Sequence, residues 1–150
     1  MTRPRLLIAE KNGELRTRMM QASVEAGYQV KTAGTVAQLL CQVLRKQAPV
    51  LLLGDNFEEN LALTDLLRLI KTCNARLAII LVSDEVSLMQ VRKARQLGIF
   101  YHALPPDSPA EWQELELAVA CAFRTSRLPG HGEGRVSTEI PDLEVARELH

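Results

Sequence analysis

The chain has no surplus of either charge: 18 Lys and Arg offset 18 Asp and Glu. That balance argues against general binding of nucleic acid or another polyanion, which depends on a basic excess. Aromatic residues are scarce as well, at 4% of the 150 residues, so no platform for stacking bases stands out. The three cysteines, Cys41, Cys73 and Cys121, are far apart and form neither a CxxC pair nor a metal-binding spacing. Each falls within a helical pattern and reads as a free thiol in a reducing compartment. Only three histidines occur, two of them in the tail, which leaves no Cys–His or Ser–His–Asp constellation and no expectation of an enzyme. Long apolar runs are missing too. In MTRPRLLIAEKN charge returns after four apolar residues, too few for a signal peptide, and nothing approaches a membrane span. A soluble cytoplasmic protein with no membrane contact is expected.

What the chain does have is 47% apolar residues, enough for a core, arranged in short blocks. The stretch PVLLLGDNFEE (residues 49–59) organises the rest. Its apolar run, Val50 to Leu53, is closed by Gly54, Asp55 and Asn56, the pattern of a strand buried on both faces of a parallel sheet. Asp55 then stands at the carboxyl end of a strand, where open α/β sheets place their chemistry.

The other blocks alternate with it. Arg5–Ala9 reads as a first strand, and from Gly13 a helix puts Leu15, Met19, Ala22 and Ala26 on one face before Gly27 ends it. Tyr28–Thr32 alternates as an edge strand, with Tyr28 and Val30 on one side. Thr35 caps a second helix whose inward positions are Val36, Leu39, Leu40, Val43 and Leu44. A third helix is expected over about Leu61–Thr72, and Leu77–Val82 as another buried strand. Ser83 and Asp84 are placed to cap a fourth helix that runs to Leu97. Ile99–Ala103 makes a fifth strand, stopped by Pro105 and Pro106. Ser108 caps a last helix with Pro109 at its first position and Trp112, Leu115, Val119 and Ala122 inward. Five strand–helix units imply right-handed parallel crossovers in a three-layer α/β sandwich.

After Phe123 the composition changes. Residues 125–150 read as a linker and C-terminal tail, with a short helical pattern over Asp142–His150 that puts Leu143, Ala146 and Leu149 on one side. The GHGEGR run there lacks the preceding strand and the lysine of a phosphate loop.

LLIAEKNGELR, PVLLLGDN, AIILVS and ARQLGIFYHALPP together resemble the landmarks of the receiver domain of bacterial response regulators, over residues 4–124. The resemblance implies the flavodoxin-like, CheY-like fold with strand order 2-1-3-4-5. It places Asp55 at the phosphoacceptor position and Ser83 at the family's Ser or Thr. It also implies Mg²⁺ held by Glu10, Asp55 and the backbone carbonyl of Phe57, and a sensor histidine kinase or a downstream signalling protein as partner. A homodimer through the fourth and fifth helices follows by the same analogy, on a face with Met89, Val91, Arg92, Tyr101 and the segment around Trp112.

The departures from that family are specific. The usual acid pair after the first strand is Glu10 and Lys11 here, the lysine before the final proline is replaced by Pro105, and His102 stands at the switching aromatic. A Lys11–Asp55 ion pair closing the site is the expected consequence, with Lys11 standing in for the missing lysine as the other outcome. The leading expectation is therefore a pseudo-receiver acting by protein–protein contact. A working phosphoacceptor at Asp55 is the first alternative and a flavodoxin-like binder of a small ligand the second. Read without the family, Asp55 is a turn former, Ser83 and Asp84 a helix cap, Glu58 and Glu59 a solvated loop and His102 an interior histidine.

Overall fold

A computed structural model describes residues 3–84 and 86–126. The elements alternate as β1 (Arg5–Ala9), α1 (Gly13–Glu25), β2 (Gln29–Thr32), α2 (Val36–Leu44), β3 (Val50–Gly54), α3 (Leu63–Cys73), β4 (Ala78–Val82), α4 (Leu88–Gln96), β5 (Tyr101–Ala103) and α5 (Pro109–Ser126). The strands form one parallel sheet in the order β2-β1-β3-β4-β5, the expected doubly wound arrangement.

Side chains of the three inner strands alternate between two separate apolar cores, because successive residues of a strand point to opposite faces. Leu7, Ala9, Leu51, Leu53, Ile79 and Leu81 meet Leu39 and Val43 of α2, Leu66, Leu67 and Ile70 of α3, and Ala94 of α4. Leu6, Ile8, Val50, Leu52, Ile80 and Val82 meet Met19 of α1 and Leu115, Ala118, Val119, Ala122 and Phe123 of α5. A strand covered on both faces has no polar side, which is why these runs are continuous rather than alternating. Tyr28 and Val30 lie on one side, as expected, and Tyr28 stacks on Phe123 at 4.8 Å.

Several local expectations need correction. Leu44 is 62% exposed: it lies about 100° around α2 from Val43, past the buried stripe. Ala26 is exposed as well, and α1 buries Ser23 instead. α4 starts later than Ser83, at Leu88, capped by Ser87 in a reciprocal box with Gln90. Ser83 does not cap it because its backbone is still bound to the sheet, its N–H donating to the Ala103 carbonyl at 2.9 Å. Thr35 caps α2 as read, accepting from the Gln38 N–H. Ser108 accepts from the Glu111 N–H at the start of α5.

α5 continues to Ser126, two residues past the expected end of the domain. The linker and tail from residue 127, including the helical pattern over Asp142–His150, lie outside the described residues. No described helix is long and apolar enough to cross a membrane.

Candidate functional site

The parallel sheet brings the ends of β1, β3, β4 and β5 to one edge, and with them Glu10, Lys11, Asp55, Ser83 and the residues after Ala103. Glu10 follows β1 directly and is only 8% exposed. Its Oε2 accepts from the Asn12 N–H at 3.0 Å, and its carbonyl oxygen accepts from Arg16 Nη1 at 2.9 Å. Asn12 in turn caps α1 through the Leu15 N–H, so the turn after β1 is held at three points.

The Glu10 carboxyl lies directly over Gly54. A Cβ at Gly54 would stand 2.8 Å from Glu10 Cδ, closer than real contacts allow, and a tight 3.1 Å from its Oε2. Glycine at the end of a buried strand is thus the space in which the longer acid fits. Burial pushes the Glu10 carboxyl above its ordinary value, and the neighbouring Asp55 charge pushes it further up. The N–H groups of Asn12 and Lys11 and the Arg16 charge work in the other direction without cancelling the rise.

That shift sets a pH dependence. A carboxyl raised above 4.5 in the fold stabilises it below the unfolded value, and that contribution is lost as pH rises through the folded value. Glu10→Gln keeps an oxygen for the Asn12 N–H and removes the ionisation. Its stability relative to the wild type is expected to grow from pH 4.5 upward and then level off. Urea midpoints across that range check this, and parallel profiles for the two proteins would contradict it.

Asp55 is half-buried at the end of β3. Two residues on, the Phe57 side chain is buried in the α2–α3 core and anchors the loop that carries it. Lys11 does not pair with Asp55. Its Nζ lies 3.1 Å from Glu59 Oε1, with both side chains largely exposed, so this surface pair contributes little to stability. Glu59 is therefore part of the surroundings of the site, and not only a solvated loop residue.

Ser83 is 1% exposed, and its carbonyl oxygen lies 2.9 Å from His102 Nε2. Since a carbonyl only accepts, Nε2 carries the hydrogen. His102 is half-buried. Tyr101 beside it is buried toward α5, with its hydroxyl donating to Glu114 Oε1 at 2.6 Å. The β4–β5 register ends with Val82 opposite Ala103, whose carbonyl also accepts from the Ser83 N–H, and Leu104 and Pro105 follow directly. Leu104 is 54% exposed. Neither residue offers a cation.

The expected contact face also changes. Val91 and Tyr101 belong to the interior, and Trp112 turns toward α1, where Arg18 lies 5.4 Å from its ring. Met89 is exposed at 68%, and Leu88 beside it equally so. Sequence reasoning missed Gly54, Arg16 and Leu104. Of these only Gly54 left a signal, a glycine closing an otherwise apolar strand.

No protein-family model and no curated protein matches the chain. Solved structures do. A CheY-like response regulator receiver domain from Methanospirillum hungatei JF-1 aligns with a TM-score of 0.70 at 17% identity, over 82% of this chain and 98% of that one. The signal receiver domain of a putative Luxo repressor protein from Vibrio parahaemolyticus gives 0.73 at 17%, over 84% and 94%. A response regulator receiver domain from Clostridium thermocellum gives 0.71 at 20%, over 81% and 94%. The fold is therefore that of CheY-like receiver domains.

Proposed function

We propose that this chain is a receiver-like, non-catalytic signalling module that works by protein–protein contact and does not depend on a phosphoryl group at Asp55. The observation that carries this reading is the run of Leu104 and Pro105 after β5, where no cation is offered, with Lys11 lying beside Glu59 rather than Asp55. Among the described residues, no ion pair reaches Glu10 or Asp55. Phosphoryl transfer to a carboxylate rests on positioning and on charges that neutralise the phosphoryl oxygens, and neither a leucine nor a proline supplies one. The partner is a sensor kinase or a downstream signalling protein. The exposed Leu88 and Met89 at the start of α4 are the apolar surface offered to it.

The test is incubation of the full chain with a small-molecule phosphodonor and Mg²⁺, read by intact mass. The unmodified mass is expected to persist. Stoichiometric labelling that disappears in Asp55→Asn would overturn the reading.

One observation favours a second reading, in which Asp55 is a working phosphoacceptor. The repulsion that helps raise the Glu10 carboxyl is what a divalent cation between Glu10 and Asp55 would relieve. These two carboxylates and the Phe57 carbonyl are oxygen donors of the kind Mg²⁺ takes. When bound there, the ion would neutralise phosphoryl oxygens. Glu10 would bind it through the oxygen not held by Asn12, and Phe57 would keep the loop in place through its buried ring.

A further inference from the structure

The end of the sheet where the strands begin, opposite the Glu10–Asp55 site, is basic. Arg3 and Arg5 stand at the start of β1, Arg45 and Lys46 precede β3, Arg76 precedes β4, and Arg124 lies in the last turn of α5. Among the described residues, Glu25 is the one acid in the loops and last helical turns of this end. The even balance of charge over the whole chain is therefore uneven in space. Cations at helix C-termini answer the helix dipoles, but Arg3 and Arg5 flank a strand. Neither has an ion pair among the described residues. Arg5 Nε donates to Gln29 Oε1 at 3.4 Å, one long bond for a group with five N–H donors.

The two arginines line an open groove of about 590 Å³ together with Pro4, Gln47, Pro49 and Ser126. Ser126 is the last residue of α5, so the chain passes into residues 127–150 from the wall of the groove itself.

We propose that this groove is the docking site of the chain's own segment Glu139–His150. Charge selects that occupant first: the segment carries Glu139, Asp142, Glu144 and Glu148 against Arg147. Its Leu143 and Leu149 suit the apolar wall of Pro4 and Pro49. Reach selects it as well. The twelve residues 127–138 span up to about 40 Å when extended, and they start at the groove. Exposed ion pairs are individually weak, so the tether, which holds the segment at roughly millimolar effective concentration, carries much of the docking.

The experiment is amide hydrogen exchange of the full chain, read by mass spectrometry over residues 139–150. Docking is expected to slow exchange there by about tenfold at low salt, the ratio of that effective concentration to an affinity of about 0.1 mM for the free segment. The slowing fades as ionic strength rises to about 0.5 M. Arg3→Glu with Arg5→Glu is expected to abolish it, and adding Glu144→Arg and Glu148→Arg to that pair to restore it. Exchange of the β3 amides, slow in every variant, shows that the domain remains folded. Exchange of the wild-type segment at the rate of a free peptide would overturn the proposal and leave the groove to an acidic partner protein. Slowing that survives reversal of both arginines, or that does not return in the quadruple variant, would overturn it too, since charge would then not hold the segment. So would slowing that grows with protein concentration, which places the segment on a second copy.

Discussion

Leu53→Ala is expected to lower the unfolding free energy by about 2–5 kcal/mol, a large share of the roughly 5–15 kcal/mol a domain has in total. Leu53 is fully buried in β3, between Ala9 of β1 and Leu81 of β4, and faces the core under α2 and α3. The truncation loses the transfer free energy of the removed carbons and leaves a cavity, because neighbours bonded into adjacent strands cannot close over it. Leu44→Ala is the matched control. Leu44 is 62% exposed, and its truncation is expected to change stability by less than about 0.5 kcal/mol. Urea unfolding measures both, and a loss at Leu53 no larger than at Leu44 would contradict the placement of β3 at the centre of the sheet.

The second large effect is at Gly54. Glycine to alanine inside a strand ordinarily gains about 0.5–1 kcal/mol by restricting the unfolded chain. Here the new Cβ meets the Glu10 carboxyl, which is buried and held by Asn12. Gly54→Ala is therefore expected to destabilise by about 1–3 kcal/mol, the cost of overpacking. Moving the Glu10 carboxyl aside is not free, because it breaks the bond to the Asn12 N–H. The cycle with Glu10→Ala isolates the contact. In the double variant the added methyl has nothing to strike, and a favourable coupling of about 0.5–3 kcal/mol is expected. Additive effects would mean that the strain at Gly54 comes from elsewhere. The same cycle reads the site, since Gly54→Ala displaces one of its two acids while leaving Asp55 unchanged.

The strands were the most legible part of the sequence. LLIA, VLLLG and AIILV are bounded by charge, proline or turn residues, and a run of that length with no charged or polar side chain has no better place than the middle of a parallel sheet. The third helix and the fourth were less so. α3 begins at Leu63 rather than Leu61, and α4 at Leu88 rather than just after Ser83. Both Ser83 and Ser87 are good cap residues in isolation. The choice between them was made by β5, whose Ala103 carbonyl holds the Ser83 N–H in the sheet.

By itself, the sequence determined the five strand–helix units, the two-faced burial of the inner strands and the placing of Glu10, Asp55 and Ser83 at strand ends, because periodicity and turn chemistry act between residues close in the chain. Tertiary structure alone decided that Lys11 turns to Glu59 instead of Asp55, that Glu10 occupies the space left by Gly54, and that the Ser83 N–H is held by the Ala103 carbonyl. Each of these is a choice among partners far apart in sequence, settled by distances of a few ångströms between loops. A lysine with three acids within reach of its loop carries no local mark of which one it will meet, and a glycine does not announce which side chain needs its missing Cβ.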